Sequence, residues 1–207
     1  MVKVGGTAPA FSLPSTAGGK QSLKDLRGGK VVLYFYPRDS TPGCTTEACD
    51  FRDSMARLKR KGVTVLGVSK DSLESHEKFR GKYKLRFDLL TDVDNKVATK
   101  YGAFGEKLMY GKKVQGTIRS TFLIDEAGKL EAIWSPVRVK GHVDKVLEVL
   151  AGGAAPVKPV AKRKVAKKKA AVKRNTATKA SATKRKAAKK TVAKKGRMKT
   201  AKRKAAK

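Results

Sequence analysis

The chain has only two cysteines and two histidines in 207 residues, and its last 57 residues hold no acidic and no aromatic side chain. Two cysteines are too few for a disulfide scaffold in a domain of ordinary size. No stretch approaches the roughly 18 consecutive apolar residues of a membrane span. The opening "MVKVGGTAPAFSLPSTAGG" lacks the continuous apolar core of a secretory signal. These absences predict a soluble, cytoplasmic chain with no membrane partner. The histidines, His76 and His142, are spaced from each other and from the cysteines in a way that fits no short-spaced zinc site, so no metal is expected.

The missing acids divide the chain. Of 50 lysines and arginines, 23 lie between Ala151 and Lys207 with no Asp or Glu among them; the first 150 residues hold 27 basic and 17 acidic side chains, a net of +10. The final segment is built mainly from Lys, Ala, Arg, Thr and Val and cannot bury enough apolar surface to offset the entropy of ordering. The expected organisation is a folded domain over residues 1–153 and a disordered basic tail over 154–207.

Within the domain, "KVVLYFYP" (Lys30 to Pro37) and "VTVLGVS" (Val63 to Ser69) are short apolar runs without alternation, which reads as buried parallel strands. Between them Ala48, Phe51, Met55 and Leu58 recur at helical spacing up to Gly62, giving a β-α-β unit. "DSLESHEKFRGKYKL" predicts a second helix opened by a capping box of Asp71 and Glu74. His76 on that polar helix is expected to be solvated and without a role. "RFDLLTD" predicts a strand, "NKVATKYGA" a short helix, "STFLIDEAGKLEAIWS" an antiparallel hairpin and "HVDKVLEVLAGG" a closing helix. The fold class is α/β, a sheet flanked by helices.

Both cysteines fall in "YPRDSTPGCTTEACD", residues 36–50. If Cys44 begins the helix, its sulfur sits where unpaired N–H groups and the helix dipole favour an anion, and only a thiolate is a nucleophile. Pro42 and Gly43 suit a tight turn, and the Thr41 hydroxyl is within reach. Cys49 lies five positions on, so an intact helix puts the two side chains about 140° apart with Cα atoms roughly 8–9 Å apart. A disulfide needs less than about 7 Å. The pair can bond only if the first helical turns unwind. Read alone, Cys49 is equally a small buried hydrophobe. Glu47, one turn after Cys44, is either a proton relay or a carboxylate facing the helix dipole. Tyr36 and Trp134 read as core or pocket wall.

"YFYPRDSTPGCTTEACDFRD" resembles the active-site segment of the peroxiredoxins, in particular the bacterioferritin comigratory protein or Q-type subfamily. Pro37, Thr41 and Cys44 meet its P-x-x-x-T-x-x-C pattern, and Cys49 its resolving cysteine five residues on. "GGTAPAFSLPSTAGGKQSLKDLRGGKVVLYFYP" and "GTIRSTFLIDEAGKL", which carries Arg119, are similar to the family's earlier and later segments, so the resemblance spans Val2 to Gly152. It implies a thioredoxin-like fold with a central mixed sheet and reduction of hydrogen peroxide or organic hydroperoxides without metal or other cofactor. Cys44 would be the peroxidatic thiolate, and Cys49 the partner in a redox-active disulfide with it. Thr41 and Arg119 would bond the thiolate and the peroxide oxygens, Pro37 would shield the site, and thioredoxin or a similar dithiol protein would be the reductant.

Nothing in that family requires the tail. It resembles the Lys/Ala-rich arms of linker histones and histone-like bacterial proteins, and its physical expectation is a polyanion partner. Without aromatics to stack on bases, duplex DNA held through its phosphates is favoured. The clusters Lys162, Arg163, Lys164, Lys167, Lys168, Lys169, then Lys184, Arg185, Lys186, then Lys202, Arg203 and Lys204 are the expected contacts. In a bacterium this places the protein at the nucleoid; in a eukaryote "KRKVAKKK" reads as a nuclear-import signal. Two other functions compete with a DNA-tethered peroxidase: a DNA-compacting protein with the folded domain as cargo, and a holdase chaperone.

Overall fold

Residues 30–35 are apolar after the first position because the strand they form is buried on both faces. The structure, a computed structural model, describes residues 2–109 and 111–153. The elements are β1 (Ser12–Pro14), β2 (Lys20–Ser22), β3 (Lys30–Phe35), α1 (Pro42–Arg60), β4 (Val63–Ser69), α2 (Leu73–Tyr83), β5 (Asp88–Thr91), α3 (Lys96–Lys100), β6 (Phe104–Met109), β7 (Lys112–Thr117), β8 (Ser120–Ile124), β9 (Leu130–Trp134) and α4 (His142–Leu150), with a 3-10 turn at Lys24–Leu26. The basic tail and its proposed DNA contacts, from Lys162 to Lys204, lie outside the described residues.

The central sheet has the order β5-β4-β3-β8-β9. β3 pairs in parallel with β4 and β4 with β5, whereas β3–β8 and β8–β9 are antiparallel. This is the mixed sheet of a thioredoxin-like fold, and the β-α-β unit and the hairpin fall where the sequence predicts them. β1–β2 and β6–β7 form separate two-stranded ribbons that the apolar pattern does not announce, since β2 and β7 are largely polar.

Alternate residues of β3 feed two cores. Val32, Tyr34 and Tyr36 pack with Phe51, Leu58 and Val146 under α1, α2 and α4. Val31, Leu33 and Phe35 pack on the other face with Tyr101, Phe122 and Ile124. Tyr34 fits because residue 67 opposite it, on β4, is glycine: a Cβ there would lie 2.7 Å from Tyr34 Oη.

The start of α2 corrects one expectation. Its N-cap is Ser72, whose side chain accepts from Ser75 N, and not Asp71. Asp71 is drawn away because its carboxylate accepts from Ser69 Oγ and from the Asp39 N–H.

Candidate active site

The site lies where β3 ends. Phe35 pairs with Ser120 at the start of β8, so Arg119, between β7 and β8, stands beside the point where the chain leaves β3 for α1. The Arg119 carbonyl accepts from Val137 N at 2.9 Å, which fastens the backbone that aims its side chain.

α1 begins at Pro42, so Cys44 occupies its first turn as expected, only 2% exposed. Cys44, Ala48, Phe51, Met55 and Leu58 form one buried stripe, and hydrophobic contact along it turns Cys44 toward the sheet. Arg119 Nη2 donates to Cys44 Sγ at 3.1 Å, and Arg119 Nη1 donates to Glu47 Oε2. The guanidinium passes beside Gly43, where a Cβ would stand in ordinary contact at 3.5 Å from Nη2. Cys49 is half-buried on the same continuous helix, and both cysteines are free. The helix therefore separates them as the five-residue spacing requires.

Glu47 is buried at 1% exposure, and burial pushes its carboxyl up to about 7 against the opposing pull of Arg119. Its second oxygen, Oε1, is buried without a hydrogen-bond partner. This burial and the Arg119 contact leave both of the sequence's alternatives for Glu47, a proton relay and a carboxylate facing the helix dipole, in place. The signal for the burial was present: 47 lies four residues before Phe51, on the apolar face.

The other expected residues divide. Pro37 is half-buried in the β3–α1 loop. Thr41 is the N-cap of α1, with no side-chain cap bond, and its hydroxyl donates to the Arg38 carbonyl at 3.1 Å. Trp134 is core, packed edge-on to His142.

His76 corrects the expectation of a solvated residue. It is 0% exposed, with Nδ1 2.9 Å from Asp39 Oδ2 and 3.3 Å from Tyr36 Oη. The polar helix misled because α2 buries only His76 and Phe79. Tyr34 and Lys107 were also missed. Tyr34 is held well above its ordinary value by burial first and then by the charges of Glu47 and Cys44. Lys107 donates to Thr117 O at 2.8 Å, and burial and the Arg119 charge hold it below its ordinary value. Nothing local marks either residue.

A free cysteine sulfur in a first helical turn, met by a guanidinium from the β7–β8 connection of this mixed sheet, fits the peroxiredoxin class of thiol peroxidases. The chain belongs to the AhpC/TSA family, whose profile matches residues 4–133, and to its Bcp or peroxiredoxin Q branch. A Coxiella burnetii protein of the bcp group is 53% identical over 146 residues, covering 70% of this chain and 97% of the relative. Peroxiredoxin Bcp of Escherichia coli is 44% identical over 149 residues, covering 72% and 96%. The structure of the Xanthomonas campestris bacterioferritin comigratory protein, described with its alkyl peroxide reduction activity, superposes with a TM-score of 0.65 at 40% identity, covering 69% of this chain and 90% of that one. Among the described residues no helix is long and apolar enough to cross a membrane.

Proposed function

We propose that this peroxidase reduces hydroperoxides, organic ones included, through Cys44 and Cys49, and is returned to the dithiol state by thioredoxin or a similar protein. The Cys44 thiolate attacks the nearer peroxide oxygen; the O–O bond breaks, the sulfur becomes a sulfenic acid and the second oxygen leaves as water or an alcohol. Arg119 stabilises the charge that passes from sulfur to oxygen, because its donors are already fixed in a water-poor site. Thr41 gives up its bond to the Arg38 carbonyl to reach the peroxide, and Pro37 shields the sulfur. Glu47, its carboxyl pushed up to about 7 by burial, would supply the proton that the departing oxygen takes. Cys49 sulfur then displaces the sulfenic oxygen as water, forming the disulfide after the first turns of α1 unwind. The observation that carries this reading is the 3.1 Å contact from Arg119 to the Cys44 sulfur. The activity named for the Xanthomonas relative supports organic peroxides as substrates.

The decisive assay follows NADPH oxidation with peroxide, thioredoxin and thioredoxin reductase. Cys44→Ser should abolish turnover, and Cys49→Ser should perform one round and stop as sulfenic acid. Wild-type turnover by Cys49→Ser would show that another thiol resolves the intermediate.

The 23 cations between Ala151 and Lys207, with no anion among them, support a second element: residues 154–207 as a non-specific duplex-DNA anchor that holds the peroxidase at the nucleoid. DNA compaction without peroxidase activity, and holdase activity that survives Cys44→Ser, are the outcomes that would replace this reading.

A further inference from the structure

The loop from Tyr36 to Thr41 carries Pro37 and Thr41 and fixes where α1 starts. Its own attachment lies away from the sulfur, at Asp39. This side chain is buried and both of its oxygens are occupied: Tyr36 Oη donates to Oδ1 at 2.8 Å, and Ser75 Oγ donates to Oδ2 at 2.7 Å. His76 Nδ1 lies 2.9 Å from Oδ2, and since a carboxylate only accepts, Nδ1 carries the proton. The Asp39 N–H donates to Asp71 Oδ2 at 2.9 Å, and Tyr36 N donates to Val68 O at 3.1 Å. The loop is thus fastened to the end of β4 and the first turn of α2. Burial opposes the charge on Asp39, but the bonds from His76, Ser75 and Tyr36 outweigh it and hold the carboxyl below its ordinary value.

Directly after Asp39 the fastening ends. Ser40 is left-handed at φ 56°, Thr41 makes no side-chain cap bond, and Pro42 and Gly43 are exposed. The Thr41 hydroxyl donates only within the loop, to the Arg38 carbonyl at 3.1 Å, and the next side chain held by another element is Cys44, by Arg119. The chain therefore has a fixed part up to Asp39 and a part from Ser40 to Cys44 that depends on the helix itself.

We infer that Asp39 is a positioning residue that sets the balance between the helical and unwound forms of the first turns of α1, by clamping the loop to α2 in the one conformation from which the helix can start. The inference rests on the two-cysteine reading above. The two chemical steps need different forms: Cys44 meets Arg119 only in the helical form, and reaches Cys49 only in the unwound one. A contact that favours the first form must disfavour the second by the same factor, so the clamp protects the peroxide step and slows disulfide formation.

Asp39→Ala, Asp39→Asn and Ser75→Ala test this. Each protein is mixed rapidly with peroxide, quenched with a sulfenic-acid trap, and counted by mass spectrometry as thiol, sulfenate and disulfide over time. Hydrogen exchange at residues 42–49 of the reduced proteins is measured alongside. In Asp39→Ala the conversion of sulfenate to disulfide should accelerate about tenfold, the scale set by losing bonds to a charged group, while oxidation of Cys44 does not accelerate and exchange at 42–49 rises. Asp39→Asn, which keeps one acceptor oxygen, should lie between it and wild type. Ser75→Ala removes a single donor, leaves no large cavity, and should show the same acceleration by a smaller factor even if Asp39→Ala folds poorly. Ordinary structural damage slows both steps together; that result, or unchanged rates in both Asp39→Ala and Ser75→Ala, overturns the inference. Peroxide turnover that survives Cys44→Ser would instead overturn the two-cysteine chemistry itself, whatever Asp39 does.

Discussion

Arg119 and Cys44, 75 positions apart in the chain, are in hydrogen-bond contact at 3.1 Å, and the same guanidinium holds Glu47. One cation therefore contacts the Cys44 sulfur and a buried carboxyl together. Arg119→Met should lower kcat/KM for hydroperoxide by about 10²–10³, the usual cost of removing one fixed donor from a developing charge. Arg119→Lys should recover little, since a single ammonium cannot span both partners in a fixed plane. Competition kinetics against a reference peroxidase reads both, and full activity in Arg119→Met would remove Arg119 from the chemistry.

Two buried groups give stability opposite dependence on pH. Glu47 has a folded value of about 7 against an ordinary 4.5, so between those values the folded state binds more protons and stability is lost as pH rises. His142, bonded to Thr121 Oγ1 and buried, is lowered to about 4 from 6.5, chiefly by burial, so the unfolded state binds more protons there and stability is lost as pH falls. Each contributes at most about 3 kcal/mol over its window. Glu47→Gln should leave a protein that weakens steeply from pH 6.5 toward 4.5, and His142→Gln one that strengthens over the same range. Urea unfolding at pH 4.5, 5.5 and 6.5 measures both slopes; parallel slopes in the two variants would contradict the assignment.

Disulfide formation must disrupt the first turns of α1, because the pair sits on one continuous helix. Oxidation should lower helix content and raise hydrogen exchange over residues 45–52. Identical exchange in the two redox states would mean that the disulfide forms by another route.

Gly67 has a packing duty that can be measured. A Cβ at this position would meet Tyr34 Oη at 2.7 Å and Leu89 Cδ2 at 2.8 Å, both in the core. Gly67→Ala should destabilise the domain by about 1–3 kcal/mol, the range for overpacking. Gly67→Ala combined with Tyr34→Phe should regain only a small part of that loss, since removing the hydroxyl leaves Tyr34 Cζ and Leu89 Cδ2, both at 2.8 Å, in place. Urea midpoints for the single and double variants decide it.

Deleting residues 156–207 should leave peroxidase kinetics nearly unchanged and remove most duplex-DNA binding, because every residue of the site precedes Pro156 and 23 of the 33 net positive charges follow Leu150. Binding by the full chain should fall with salt at a log–log slope of about −0.9 per phosphate engaged. Equal affinity in the truncated protein, or affinity insensitive to salt, would show that these residues are no electrostatic anchor.

The local sequence determined the strands and helices around the site, since a run buried on both faces and a helical stripe each leave their period in the chain. It also determined that Cys44 falls in a first helical turn and that five residues of helix keep Cys49 from it. The charge division between the domain and the last residues needs no structure at all. What only the tertiary structure decided is who meets whom across elements. Arg119 reaches Cys44 because β8 pairs beside β3, and no local period records strand order. His76 was misread because a mostly polar helix can still turn one imidazole inward when Asp39, 37 positions earlier, offers an acceptor there. Glu47 lay on the apolar stripe in plain view, but a carboxyl on such a stripe becomes intelligible only once the guanidinium that partners it is in place.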